Sequence, residues 1–198
     1  MVPIRYGYRY NWPVKQKIQT SLTRLFNDAF NSLGEDSLST AFDPKWRSMS
    51  ETHQTVDRTF WRPAAQPEPV DFSGLANAVA QTIHPDICTF YGSFWAGHLE
   101  ATSSEGHVSL IQLWNQEDFD RLVSNLIGHF MAKQKISQPF TVFFANTDLD
   151  SELFLSIDNS TGKILLEEPG KPPVREVELD IATFLDRLTP VKSEPGIY

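Results

Sequence analysis

Apolar residues recur at helical spacing in three long stretches of the chain, within residues 14–33, 70–83 and 119–130. In each stretch they fall three or four residues apart, so they form one stripe along a helix of 3.6 residues per turn. The pattern predicts three amphipathic helices. A fourth, shorter helix is predicted to begin at Asp180, and Pro190 would stop it.

The third of these helices has the clearest boundary signals. Asn115 can accept a hydrogen bond from the first free amides, and Glu117 and Asp118 suit the positive end of the helix dipole. Lys133 and Lys135 suit the negative end. We therefore predict that this helix begins directly after Asn115.

The rest of the second half of the chain is predicted to form β-strands. Aromatic, β-branched or alternating stretches separated by turn residues occupy residues 89–96, 98–102, 108–114, 140–145, 153–157 and 163–167. Residues 35–59 lack sustained periodicity and are predicted to be an irregular connection. The predicted fold class is α+β, with a mostly antiparallel β-sheet flanked by about four helices.

Charge is distributed unevenly along the chain. Residues 1–66 carry nine Lys and Arg against six Asp and Glu, whereas residues 67–198 carry eight against nineteen. This acidic second part would repel nucleic acid and anionic lipid surfaces and attract a basic partner. Acidity that merely keeps the protein soluble would give the same composition.

No motif that ties catalysis to residue spacing is present in the sequence. There is no Gly-rich phosphate loop followed by Lys, no Gly-x-Ser-x-Gly elbow and no His-Glu-x-x-His helix. Cys88 lies in an apolar run, where burial would keep its thiol protonated. We predict a protein without catalytic residues or cofactors.

Three residues could form a metal site, or they could simply be polar residues on an exposed strand face. His98 and Glu100 would share one face of a strand, and His107 could join them across a hairpin to hold zinc. Because exposed strand faces commonly carry such polar residues, we predict no metal ligands.

Three sequence blocks, in order, resemble the bacterial Syd family of SecY-interacting proteins. They are TIHPDICTFYGSFWAGHLEA at residues 82–101, LIQLW at 110–114 and LIGH at 126–129. The similarity weakens across residues 35–59. It favours a single domain over residues 14–191, preceded by a tyrosine-rich head, residues 1–13, that need not be ordered, and followed by a tail at 192–198.

The resemblance implies a function and a location. Syd-like proteins bind SecY, the channel subunit of the protein-export translocase, and are thought to restrain translocation by holding uncomplexed or abnormal SecY. The family is grouped with the SUKH-like superfamily, which includes toxin-neutralising immunity proteins. We therefore expect a cytoplasmic protein, loosely held at the inner membrane through SecY, without lipid insertion. We assume a monomer. An immunity-type protein and a metal-dependent enzyme are the alternatives.

The charge pattern suggests where SecY would bind. Cytoplasmic loops of membrane proteins are rich in Lys and Arg, so acidic residues near the hairpin and third helix could flank a groove for such a loop. The acidic candidates are Glu100, Glu117, Asp118, Asp120, Asp148 and Asp150. Trp95 and Trp114 are the candidate aromatic anchors, although tryptophans in such positions more often belong to the core.

Overall fold

The computed structural model describes residues 12–148 and 150–192. Residues 1–11 of the predicted head and residues 193–198 of the predicted tail lie outside the described residues. The first helix, α1, spans Trp12–Leu33. It buries Ile18, Leu22 and Leu25 completely, and Gly34, at a φ of 93°, follows its end.

A small sheet follows where we predicted an irregular connection, so that prediction was wrong. Three antiparallel strands form it in the order β1-β3-β2, namely β1 (Ser39–Ala41), β2 (Glu51–Gln54) and β3 (Arg58–Trp61). Most of their side chains are exposed or half-buried, which leaves no strong apolar alternation in the sequence. A separate two-stranded pair joins β4 (Ala64–Ala65) to β5 (Phe94–Trp95).

The second predicted helix, within residues 70–83, is shorter than predicted, and an additional helix follows it. Helix α2 covers Ser73–Val79, and α3 covers Pro85–Tyr91, part of which was predicted to be a strand. Pro85 does not stop a helix here but starts one, because a missing N–H costs nothing in the first turn. The ring nitrogen Nδ1 of His84 accepts a hydrogen bond from the Asp86 amide at 3.3 Å and caps α3.

The main sheet has seven strands in the order β11-β10-β9-β8-β7-β6-β12, all antiparallel to their neighbours. The strands are β6 (Leu99–Ser103), β7 (Gly106–Leu110), β8 (Thr141–Asn146), β9 (Phe154–Asp158), β10 (Ile164–Glu167), β11 (Arg175–Glu178) and β12 (Thr189–Pro190). The hairpin predicted to carry Glu100 and His107 is confirmed as β6–β7, and the strands predicted at 153–157 and 163–167 pair as the β9–β10 hairpin.

Helices pack on both faces of this sheet. Phe144 contacts Phe90 of α3 and Phe184 of α5 (Ile181–Asp186), with ring centroids 5.6 Å and 5.5 Å apart. Phe143 points the opposite way, since neighbouring residues of a strand alternate. It contacts His129 of α4 (Gln116–Lys135) at 5.8 Å. We call the face covered by α4 the outer face.

The predicted fold class is confirmed. The described residues form an α+β fold dominated by an antiparallel sheet, with five helices instead of about four. Asp180 caps α5 through a hydrogen bond from the Thr183 amide at 2.8 Å, as its position before the fourth predicted helix suggested.

Candidate functional site

The start of α4 is built as the sequence predicted. The Asp118 amide donates to Asn115 Oδ1 at 2.9 Å, and Asp118 Oδ2 accepts from the amide of Trp114 at 3.0 Å. The first bond satisfies an amide that a helix start otherwise leaves free, and the second holds the residue before the cap. Asp118 therefore has a structural task, and its carboxylate is engaged within the chain.

Glu117 and Asp120 are the acidic residues of this helix that face solvent. They are three residues apart, so their side chains are neighbours on the helix surface. Asp120 accepts one hydrogen bond, from Gln116 at 3.2 Å, while among the described residues Glu117 has no hydrogen bond or ion pair. Both carboxylates can meet a partner without breaking an internal ion pair.

Glu100 lies on the outer face of β6 and already has two partners. His107 Nε2 lies 2.9 Å from its Oε2, and the hydroxyl of Ser109 donates to its Oε1 at 2.8 Å. Its side chain is 20% exposed. A cation approaching Glu100 would compete with His107 for the same oxygen.

Asp148 and Asp150 are exposed in the loop between β8 and β9, residues 147–153. Sheet register relates this loop to Glu100, because Glu100 pairs with Ser109 and Ser109 with Asn146, the last residue of β8. The loop therefore leaves the sheet in the row that contains Glu100. No hydrogen bond or ion pair within residues 12–148 and 150–192 links either of them to Glu117 or Asp120 on α4.

The two candidate anchor tryptophans are buried. Trp95 is 8% and Trp114 6% exposed, so neither ring is open to a partner in this conformation. The indole N–H of Trp114 donates to the main-chain carbonyl of Trp46 at 2.9 Å. Trp114 thus anchors a segment of its own chain, residues 42–48, which we call the strap.

The contact between the strap and α4 is the part of this surface that the sequence did not reveal. Asn115 Nδ2 donates to the carbonyl of Arg47 at 2.9 Å, which holds the strap against the start of α4. The Arg121 guanidinium of α4 lies over the Trp46 ring, 4.0 Å from its centroid. Trp46 itself is half-buried. The only local signal was a Pro44-Lys45-Trp46-Arg47 run inside a polar stretch.

A cavity lies away from these residues. It measures about 280 Å³ and opens between the first turn of α1, α2 and α3, lined by Val70, Phe72, Ile83, Cys88 and others, and none of the predicted site residues borders it. Burial raises the pKa of the Cys88 thiol to about 11, so the thiolate is scarce at neutral pH.

The zinc candidate residues do not assemble into a metal site. Glu100 and His107 meet, as the hairpin register required, but His98 does not join them. Within the described ranges no three His, Cys, Asp or Glu side chains come together in a way that could hold a metal ion.

The fold and its surface carboxylates define an acidic α+β protein. A sequence model described as Syd protein (SUKH-2) matches residues 16–190. The chain is 38% identical over 134 residues to Protein Syd of Pseudoalteromonas atlantica, covering 68% of this chain and 72% of that protein. It is 33% identical over 160 residues to Protein Syd of Alteromonas mediterranea, covering 80% and 88%.

A third relative, Protein Syd of Colwellia psychrerythraea, is 34% identical over 158 residues, covering 74% of this chain and 78% of that protein. The chain belongs to the Syd family, and the resemblance read from the sequence is confirmed. No helix in the described part of the chain has the length and apolar character that crossing a membrane requires.

Proposed function

We propose that this protein binds SecY at the cytoplasmic side of the inner membrane and restrains the protein-export translocase. The observation that carries the proposal is the family match, which extends over residues 16–190 and therefore includes both α4 and the main sheet. The proposed role is binding, with no catalytic step and no cofactor.

Charge supports the choice of partner. Residues 67–198 carry nineteen acidic against eight basic residues, and the cytoplasmic loops of membrane proteins are enriched in Lys and Arg. Opposite potentials steer two surfaces together and disfavour wrong partners. The protein would thus be held at the membrane through SecY and not through lipid.

Exposure ranks the acidic residues for this role. Glu117 and Asp120 on α4, and Asp148 and Asp150 in the 147–153 loop, face solvent and are our first choices for contacts with basic SecY loops. Glu100 is a second choice, because a SecY cation would displace His107. Asp118 contributes through the potential of the helix start while it caps α4.

Affinity would also need an aromatic contact, since exposed ion pairs contribute only about 0–1 kcal/mol each. Trp95 and Trp114 are enclosed in the fold, so either would have to move to reach SecY. Trp46 is half-buried against the start of α4. We propose Trp46, with Arg121 stacked on it, as the ring that SecY contacts.

A pull-down tests the partner directly. Tagged protein would be incubated with detergent-solubilised inner membranes at about 50 mM and about 300 mM salt, since screening weakens contacts between exposed charges. We expect SecY to be recovered, and to be recovered less well at high salt. Recovery of no SecY, or recovery of a soluble toxin-like protein in its place, would refute the proposal.

A further inference from the structure

A buried ion pair joins the last turn of α4 to the main sheet. Lys133 Nζ contacts Glu167 Oε2, and the two side chains are only 4% and 1% exposed. The other carboxylate oxygen of Glu167 accepts a hydrogen bond from the hydroxyl of Ser156 at 2.6 Å. Ser156 is itself fully buried, so the pair is enclosed between helix and sheet.

A second polar contact lies one turn earlier on the same helix. Nε2 of His129 lies 2.9 Å from the hydroxyl oxygen of Thr141, and Thr141 is 1% exposed. The imidazole ring packs edge-on against Phe143 and Phe154, each 5.8 Å away between ring centroids. Two successive turns of α4 thus each match one polar side chain to one polar partner on the sheet.

Such contacts are poor sources of net stability, because removing charges from water costs about as much as their mutual attraction returns. Buried polar groups are best attested as devices that fix register, as in coiled coils. The rest of the buried stripe of α4, Phe119, Leu122 and Leu126, is apolar and does not distinguish one helix position from the next.

A one-turn shift of α4 would affect the apolar stripe and the polar contacts differently. Sliding the helix by about 5.4 Å would place an apolar residue near another apolar residue along most of the stripe. Lys133 and Glu167 would instead be left buried without partners, which is strongly unfavourable. The pair therefore disfavours a one-turn shift of α4.

We propose that the Lys133–Glu167 pair, supported by the His129–Thr141 contact, locks α4 in one register on the outer face. The helix is a single element of 20 residues, so a shift at its last turn moves its first turn as well. Lys133 and Glu167 act as positioning residues for Glu117 and Asp120. This consequence for binding rests on the proposed function, whereas the register lock itself does not.

The test replaces the pair by apolar residues of similar size. The variant Lys133→Met, Glu167→Met, Ser156→Ala removes both charges and leaves no buried hydroxyl without a partner. We expect the urea midpoint to match or exceed that of the unmodified protein. Amide hydrogen exchange along α4 should become roughly tenfold faster, and SecY capture should weaken about fivefold.

The matched control is Lys133→Gln with Glu167→Gln, which keeps a hydrogen-bonded pair of similar shape without charge. Hydrogen exchange along α4 and SecY capture should each stay within about twofold of the unmodified protein. Unchanged α4 exchange in the Met variant would overturn the register lock. So would failure of the Met variant to fold, because the pair would then supply stability. If the unmodified protein captures no SecY, the proposed function is refuted. Hydrogen exchange along α4 then still decides whether the pair locks the register.

Discussion

The indole N–H of Trp114 donates to the main-chain carbonyl of Trp46, 2.9 Å away. This contact joins two segments that are far apart in sequence and fixes the strap over the start of α4. It also explains why Trp114, a candidate partner anchor by sequence, is buried. Its consequences can be measured without knowing the partner.

Replacing Trp114 by Phe should destabilise the protein by about 1 kcal/mol in addition to the packing lost, because the Trp46 carbonyl loses its donor. Urea unfolding measures the change. Trp95→Phe is the matched control, since Trp95 is similarly buried but its indole makes no hydrogen bond within the described residues. Equal losses in the two variants would contradict a role for the indole donor.

Asn115→Ala should lower the free energy of unfolding by about 1–2 kcal/mol, because α4 loses its N-cap acceptor and the strap loses the amide donor to Arg47. Asn125→Ala, at an exposed position inside α4, should be neutral or slightly stabilising, since Ala favours helix interiors. Denaturant titrations of both variants check this. A neutral Asn115 variant would refute the capping assignment.

Alanine substitutions at Gly162 and Gly170 distinguish the cost of backbone strain from the cost of steric crowding. Both have positive φ, 77° and 73°, so alanine at either should cost about 1–2 kcal/mol. At Gly162 a Cβ would lie 2.7 Å from the His84 ring, whereas nothing lies within 4 Å at Gly170. We expect Gly162→Ala to lose about 1–3 kcal/mol more than Gly170→Ala by thermal unfolding. Equal losses would show that the His84 ring moves aside freely.

Burial lowers the pKa of His129, despite the nearby Glu167 carboxylate. The unfolded state therefore takes up the proton first, and stability should be lost as the pH falls through the unfolded pKa of about 6.5. We expect His129→Gln to reduce the loss of urea stability between about pH 7.5 and about pH 5.5. His53→Gln, at an exposed position, should lose as much urea stability over this pH range as the unmodified protein does. An equal loss of urea stability with falling pH in all three proteins would contradict this role for His129.

Local signals decided which elements the sequence predicted correctly. Asn115 and Asp180 are caps whose partners lie three residues away, so both helix starts could be read from the chain alone. The aromatic stretch from Thr89 favoured a strand by propensity, but the His84 cap and Pro85 start a helix there. The rule that Pro suits the first turn of a helix would have found it.

The site depended on contacts that sequence spacing does not encode. Glu117 and Asp120 are exposed as expected for the polar face of a helix. Trp114 instead contacts Trp46, and no local sequence pattern links the two residues. Likewise the pairing of Lys133 with Glu167 crosses from helix to sheet, whereas the sequence suggested only that Lys133 suits a helix end.

We propose that SecY binds through the exposed carboxylates at the start of α4. The most direct test compares two charge reversals in binding to immobilised, detergent-solubilised SecY. Glu117→Lys with Asp120→Lys alters the site and spares the Asp118 cap. Asp36→Lys with Glu68→Lys makes the same charge change at exposed residues whose carboxylates have no hydrogen bonds in the described part of the chain.

Dissociation constants would be measured at about 50 mM and about 300 mM salt. We expect the site variant to bind SecY roughly tenfold more weakly than the unmodified protein does, a loss of about 1.4 kcal/mol, with a weaker salt dependence. The control variant should stay within about twofold. A folded site variant that bound SecY as tightly as the unmodified protein, with the same salt dependence, would contradict the claim.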